Sequence, residues 1–293
     1  MQTATNTAEP NRVCDVSFSA RDGRALVGRL HRPAKAPEAA AVLLSGTAIP
    51  QGFYARFASY LSERSIAVLT FDYRGIGRSR TEPLRKVRAT MTDWAQHDID
   101  GALGWLKEQF PGIPRTAIAH SFGGQALGLS PTAREGIDRA VLIASGSGFV
   151  GLYPLHARLR NVAVFHALLP AAAATLGYWP KDLGLGDGLP GGVAREWARW
   201  CRSPGYLTAH VPSAQRFHGE LEIPMLALGV TDDDYAPPAA VDALLSWYAR
   251  ATIERRMVSP ESLGVPVIGH FGFFREAAGG KLWADVARFV RGR

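Results

Sequence analysis

Ser121 is the residue on which chemistry in this sequence is most readily built. It lies in the run Thr116-Ala117-Ile118-Ala119-His120-Ser121-Phe122-Gly123-Gly124-Gln125-Ala126-Leu127, where 117–119 read as a short buried strand and 125–127 as the start of a helix. A sharp strand-to-helix turn strains the backbone of its central residue and pushes that side chain clear of the sheet. The residues two before and two after must then be small. Ala119 and Gly123 satisfy that demand. A helix beginning just after the serine also aims free N–H groups, and the positive end of its dipole, at the place where an oxyanion would form.

Other chemistries are weaker. Asp72-Tyr73-Arg74-Gly75-Ile76-Gly77-Arg78-Ser79 follows an apolar run, but the third glycine of a dinucleotide-binding fingerprint is replaced by Arg80. Thr231-Asp232-Asp233-Asp234 offers three carboxylates that could hold Mg²⁺ or Ca²⁺. His97, Asp98 and Asp100 share one helix without a third ligand at metal spacing, and a solvated or sheet-capping face is expected there. No Cys/His cluster has zinc-ligand spacing, and neither a cofactor nor a metal is expected. The net charge of +7 comes from arginines spread over the 293 residues. The one local basic cluster, Arg74, Arg78, Arg80, Arg85, Lys86 and Arg88, is expected to be a solvated loop. Nothing resembles a nucleic-acid-binding motif. Residues 1–12 lack the apolar core of a secretory signal and read as a disordered tail. No run is long and apolar enough to span a membrane. Cys14 and Cys201 read as two reduced thiols of a cytoplasmic protein.

The elements that would position Ser121 follow from periodicity. The stretches 14–19 and 24–32 alternate as an edge hairpin, and 39–44 is a continuous apolar run suited to a strand buried on both faces. Helical spacing at 53–64 leads to a strand at 67–71, and Thr92 or Asp93 is expected to cap a helix running to Phe110. After the Ser121 turn come a buried strand at 139–144, then strands at 224–230 and 252–258 and a C-terminal helix ending near Arg291. Strands and helices in alternation imply a mostly parallel sheet of about eight strands with helices on both faces. Residues 146–221 break that alternation. They carry Trp179, Trp197, Trp200, Tyr153, Tyr178 and Tyr206, with helical stretches at 155–169 and 193–201.

The Ala-x-Ser-x-Gly turn in this setting resembles the nucleophile elbow of the α/β-hydrolase fold family. The likeness covers residues 13–290 and is nearest to bacterial members that pair a Tyr-Arg-Gly-x-Gly-x-Ser loop with an Ile-Gly-His-Phe-Gly-Phe-Phe tail. It implies a core domain of 13–145 and 222–293, with 146–221 as a helical cap inserted after the sixth strand. It also implies that His270, in the loop after the last strand, is the base, and that the acid lies in the turn after 224–230. Spacing from Gly229 selects Asp232 and spacing back from Pro237 selects Asp233; both stand as candidates, with Asp232 preferred. His120 is expected to pack under the elbow. The backbone N–H of Thr47 or Ala48, in the small loop after 39–44, would pair with that of Phe122 as an oxyanion hole. The order Ser, Asp, His is the one this fold uses. The expected activity is hydrolysis of an ester, thioester or amide of a small to medium acyl substrate through an acyl-enzyme. An acyltransferase with the same triad and a non-catalytic binding protein are the alternatives, and the oligomeric state is left open.

Overall fold

The computed structural model describes residues 12–293, so the tail expected over 1–12 lies, but for Arg12, outside the described residues. The strands in chain order are β1 (Arg12–Ser19), β2 (Ala25–Arg32), β3 (Ala39–Leu44), β4 (Ile66–Phe71), β5 (Arg115–His120), β6 (Arg139–Ile143), β7 (Tyr178–Trp179), β8 (Leu189–Pro190), β9 (Pro224–Val230) and β10 (Thr252–Val258). Eight of them form one sheet in the order β1-β2-β4-β3-β5-β6-β9-β10. The first hairpin is antiparallel, β2 meets β4 antiparallel, and every pair from β4 to β10 is parallel. The expected eight-stranded, mostly parallel sheet is the one observed.

The central strands are buried on both faces, and their side chains divide with a period of two. Ala40, Val42 and Leu44 of β3, with Ala117 and Ala119 of β5, point into one core. Ala39, Ala41 and Leu43, with Ile118, point into the other, where Phe57, Leu61, Trp283, Val286 and Val290 cover them. Those partners come from the helices Ala55–Ser62 and Trp283–Val290. The alanines at the middle of the sheet let helices approach closely on both sides.

The chain leaves β3 for β4 on one side and returns to β5 on the other. This reversal opens a crevice at the carboxyl ends of β3 and β5, the place where sheets of this kind bind ligands. Ser121 follows β5 and the Ser45–Ile49 loop follows β3, so the topology brings the two together.

Two local expectations are corrected. The helix before β5 is capped by Thr90, two residues earlier than the sequence suggested. Its hydroxyl accepts from the Asp93 N–H, and the Asp93 carboxylate accepts from the Thr90 N–H. The helix then runs through a π-turn at Trp94–Ile99 to Gln109. The face carrying Asp98 is not solvated, and of the basic cluster Arg74 is buried, whereas Arg78, Arg85, Lys86 and Arg88 are exposed as expected. Arg74 is bonded through Nε to Asp98 (2.7 Å) and through Nη1 to Asp22 (2.7 Å). Arg78 pairs with Asp15 and Arg80 with Asp187. Asp100 accepts from the hydroxyls of Ser130 and Thr132. Charges from 24 to 107 residues apart close on one another here, and no local pattern announces that.

Between β6 and β9 the chain is largely helical. A helical run begins with Leu155–Ala163, passes through a π-turn at Val164–Leu168 and ends with Leu169–Thr175; the two-residue ribbon β7–β8 and the helices Gly191–Cys201 and Ala214–Gly219 follow. Trp179, Trp200 and Tyr206 are buried within it. Among the described residues no helix is long and apolar enough to cross a membrane.

Candidate active site

Ser121 sits at φ 52°, ψ −114°, a conformation that side-chain-bearing residues rarely adopt and one held here by its neighbours. Its N–H donates to the Ile143 carbonyl (3.0 Å), and its own carbonyl accepts from Gly124 (3.1 Å). A Cβ on Gly123 would lie 2.3 Å from the Leu44 carbonyl oxygen, so close approach to β3 requires glycine there. The helix Phe122–Ala126 starts immediately, and the Phe122 N–H, in its first turn, has no partner four residues back within it.

His270 Nε2 lies 2.9 Å from Ser121 Oγ, and His270 Nδ1 lies 2.8 Å from Asp233 Oδ2. The other Asp233 oxygen accepts from the N–H groups of Tyr235 (2.7 Å) and Ala236 (3.0 Å). With its carboxylate so occupied and its side chain fully buried, Asp233 fixes the imidazole with Nδ1 protonated and Nε2 free to accept from Ser121.

Of the two candidate carboxylates, Asp233 and not the preferred Asp232 meets His270. Asp233 N–H closes a turn onto the Val230 carbonyl (3.3 Å), which turns Asp233 inward and leaves Asp232 exposed. Asp232 still serves the same loop, since its two oxygens accept from the N–H groups of Ile268 and Gly269, both at 3.0 Å. Asp234 pairs with His156 instead (3.0 Å).

The loop after β3 turns beside the serine. Ile49 N–H donates to the Gly46 carbonyl (3.2 Å) with Thr47 and Ala48 between them, and Ala48 has φ 62°. Among the described residues neither the Thr47 nor the Ala48 N–H meets an acceptor. The loop is braced from below by Asp72, whose carboxylate accepts from Gln51 N–H (2.7 Å), Gln51 Nε2 (2.8 Å) and Arg78 N–H (2.9 Å).

His120 is buried under the elbow. Tyr54 Oη accepts from Gly46 N–H (2.9 Å) and lies 2.9 Å from His120 Nδ1; His120 Nε2 lies 3.1 Å from the His270 carbonyl oxygen. One protonation state satisfies all three contacts: a neutral imidazole with its proton on Nε2, accepting from the Tyr54 hydroxyl. Burial, and the neighbouring His270, push the His120 pKa well below the usual histidine value, in keeping with that state. Tyr54 and His120 thus join the loop after β3, the elbow and the loop of His270. Sequence reasoning missed this tie, because nothing in the spacing of Gly46, Tyr54, His120 and His270 signals it. The Phe273-Phe274 end of the last motif anchors the same loop, with Phe274 edge-on to Tyr54 at 4.8 Å between centroids.

Thr47, Ser121 and His270 line a cavity of about 660 Å³, with Phe165, Leu168, Trp179 and Trp197 from the segment between β6 and β9 also among its lining residues.

Sheet order, elbow and the loops after β3 and β9 together give the chain the α/β-hydrolase fold. Residues 35–176, just under half of the chain, match the model of a family described as serine aminopeptidase, S33. An esterase domain from Rhodothermus marinus is 18% identical with a TM-score of 0.61, over 96% of this chain and 98% of that one. A thermostable carboxyl esterase from Bacillus coagulans, solved with glycerol, is 13% identical with a TM-score of 0.64, over 96% and 98%. An esterase from Pyrococcus furiosus is 14% identical with a TM-score of 0.63, over 96% and 91%. No curated protein matches the chain in sequence.

Proposed function

We propose that the protein is a serine hydrolase that cleaves carboxylic esters through an acyl-enzyme, with Ser121 as nucleophile, His270 as base and Asp233 as the acid that orients it. The observation that carries this reading is the unbroken chain Asp233–His270–Ser121 at the floor of the cavity. His270 Nε2 takes the hydroxyl proton as Ser121 Oγ attacks the ester carbonyl. The oxyanion is held by the N–H groups of Phe122 and of Thr47 or Ala48. Collapse of the intermediate expels the alkoxide, which receives the proton from His270. Water then attacks the acyl-enzyme, giving its proton to His270, which returns it to Ser121 as the acid leaves.

The esterase names carried by the structural relatives favour an ester over a peptide bond. Residues 146–221 act as the cap, since their side chains wall the cavity above Ser121. The two unpaired thiols, Cys14 exposed and Cys201 buried, support a reducing, cytoplasmic setting. A chain-length series of p-nitrophenyl esters tests the reading. Wild type turns over at least one member, and Ser121→Ala and His270→Ala lose that turnover while keeping the fold by circular dichroism. Full turnover by Ser121→Ala overturns the assignment.

A further inference from the structure

Three polar side chains of the cavity have no part in the chemistry described above. Arg160 and Asn161 reach it from the helix Leu155–Ala163, and Arg275 from the loop just past His270. Arg160 lies over the ring of Tyr235, 5.1 Å from its centroid, and that ring is in turn 5.1 Å from the centroid of His270. The guanidinium is therefore only one aromatic ring away from the base. Asn161 is 6% exposed, and among the described residues its amide has no hydrogen-bond partner.

What these groups lack is an anion. No aspartate or glutamate lines the cavity. Asp233 lies behind His270, and Asp234 is held by His156. Among the described residues neither Arg160 nor Arg275 has a carboxylate within 4.0 Å, whereas Arg74, Arg78 and Arg80 at the neighbouring loop are all paired. The amide of Asn161 opens onto the cavity, where it can hydrogen-bond a ligand. Arg160 and Arg275 are solvent-exposed residues that also line the cavity, so their guanidinium groups are free to meet a planar carboxylate there through charge-assisted, forked hydrogen bonds. The net charge of +7 adds a field of the same sign.

We propose that the cavity takes an ester carrying a free carboxylate elsewhere in its skeleton, with the carboxylate read by Arg160, Arg275 and the amide of Asn161. This rests on the ester-hydrolase reading, so the test separates binding from turnover. Ser121→Ala is titrated calorimetrically with monomethyl adipate and with neutral dimethyl adipate. Acetoxybutyrate and its methyl ester are run beside them. The first pair carries the charge on the acyl side and the second on the alcohol side, so the arms tell which part of the substrate the arginines read.

The expected result is that one charged ester binds at least about tenfold more tightly than its neutral partner, the scale of a single charge-assisted contact. That preference falls to about one when Arg160→Gln and Arg275→Gln are added together. It persists in Arg158→Gln, a change at an exposed arginine of the same helix that does not line the cavity. Thermal melts of each variant confirm the fold. Equal binding of charged and neutral esters, or a preference that survives the paired substitutions, overturns the proposal. If neutral p-nitrophenyl esters are nonetheless hydrolysed through Ser121, the hydrolase reading stands without it. A charged preference with no ester turnover by wild type does the reverse, leaving the anion site in place and removing the hydrolase reading.

Discussion

Replacing Tyr54 with phenylalanine tests how the three loops of the site are held together. The side chain is fully buried, and its ring keeps edge-on partners in Phe53 and Phe274 after the change. What disappears is one oxygen with two contacts, the Gly46 N–H and His120 Nδ1, each at 2.9 Å. Both groups are then buried without a partner. Each such group costs about 1–3 kcal/mol, and because the two face one shared gap we expect a loss of about 2–4 kcal/mol. For a chain of this size that corresponds to a fall in Tm of roughly 5–15 °C. The functional effect is separate. Without the Tyr54 hydroxyl, His120 is no longer held in the tautomer that donates to the His270 carbonyl, and Gly46 no longer anchors the turn carrying Thr47. We expect kcat on a p-nitrophenyl ester to fall by about tenfold or more with little change in KM, because the parts displaced act on the transition state. Melting curves and initial rates on one preparation give both numbers. An unchanged Tm refutes the hydrogen-bond network, and a lowered Tm with unchanged kcat refutes its role in positioning.

Further outcomes follow from the same geometry. Asp233→Asn lowers kcat by about 10⁴-fold through the wrong imidazole tautomer, whereas Asp232→Asn, which touches only the backbone before His270, keeps most of the activity; initial rates of the two variants decide between the acids. Arg74→Ala leaves Asp98 buried and unpaired and costs about 3–5 kcal/mol, measured by urea unfolding. Stability falls as pH drops from 7 toward 5. His31 (pushed down to about 4 by burial), His120 and His218 are all held below the usual histidine value in the fold, so the unfolded chain binds the extra protons. Asp98, pushed up to about 6 by burial against the pull of Arg74, and Glu196, raised by burial, work in the opposite direction, two groups against these three histidines and His210, which burial also lowers. The urea midpoint at pH 5 and pH 7 checks the sign.

The parts of the molecule legible in sequence are those fixed by short-range sterics. Ala119 and Gly123 flank Ser121 because the elbow leaves no room for larger residues, and that constraint is written within five positions. The double-sided burial of 39–44 and the order of Ser121 and His270 are equally local. Which of Asp232 and Asp233 meets His270 is not legible, because it depends on how one turn closes on Val230 rather than on spacing. The burial of Arg74 within an otherwise exposed basic stretch is not legible, because its partners, Asp22 and Asp98, lie at distant points of the chain. Thr90 was overlooked as a cap because its box is completed by Asp93 where a longer acid is the usual signal. Nothing in the helical spacing over 53–64 marks Tyr54, and only its hydroxyl distinguishes it.

The central claim is that Ser121 is an activated nucleophile. Labelling with a fluorophosphonate probe, with the modified peptide identified by mass spectrometry, tests it without knowledge of the substrate. The account predicts near-stoichiometric modification of Ser121 in the wild-type protein, loss of labelling in Ser121→Ala, and strongly slowed labelling in His270→Ala. A folded wild-type protein that takes no label, or takes it at another serine, contradicts the account.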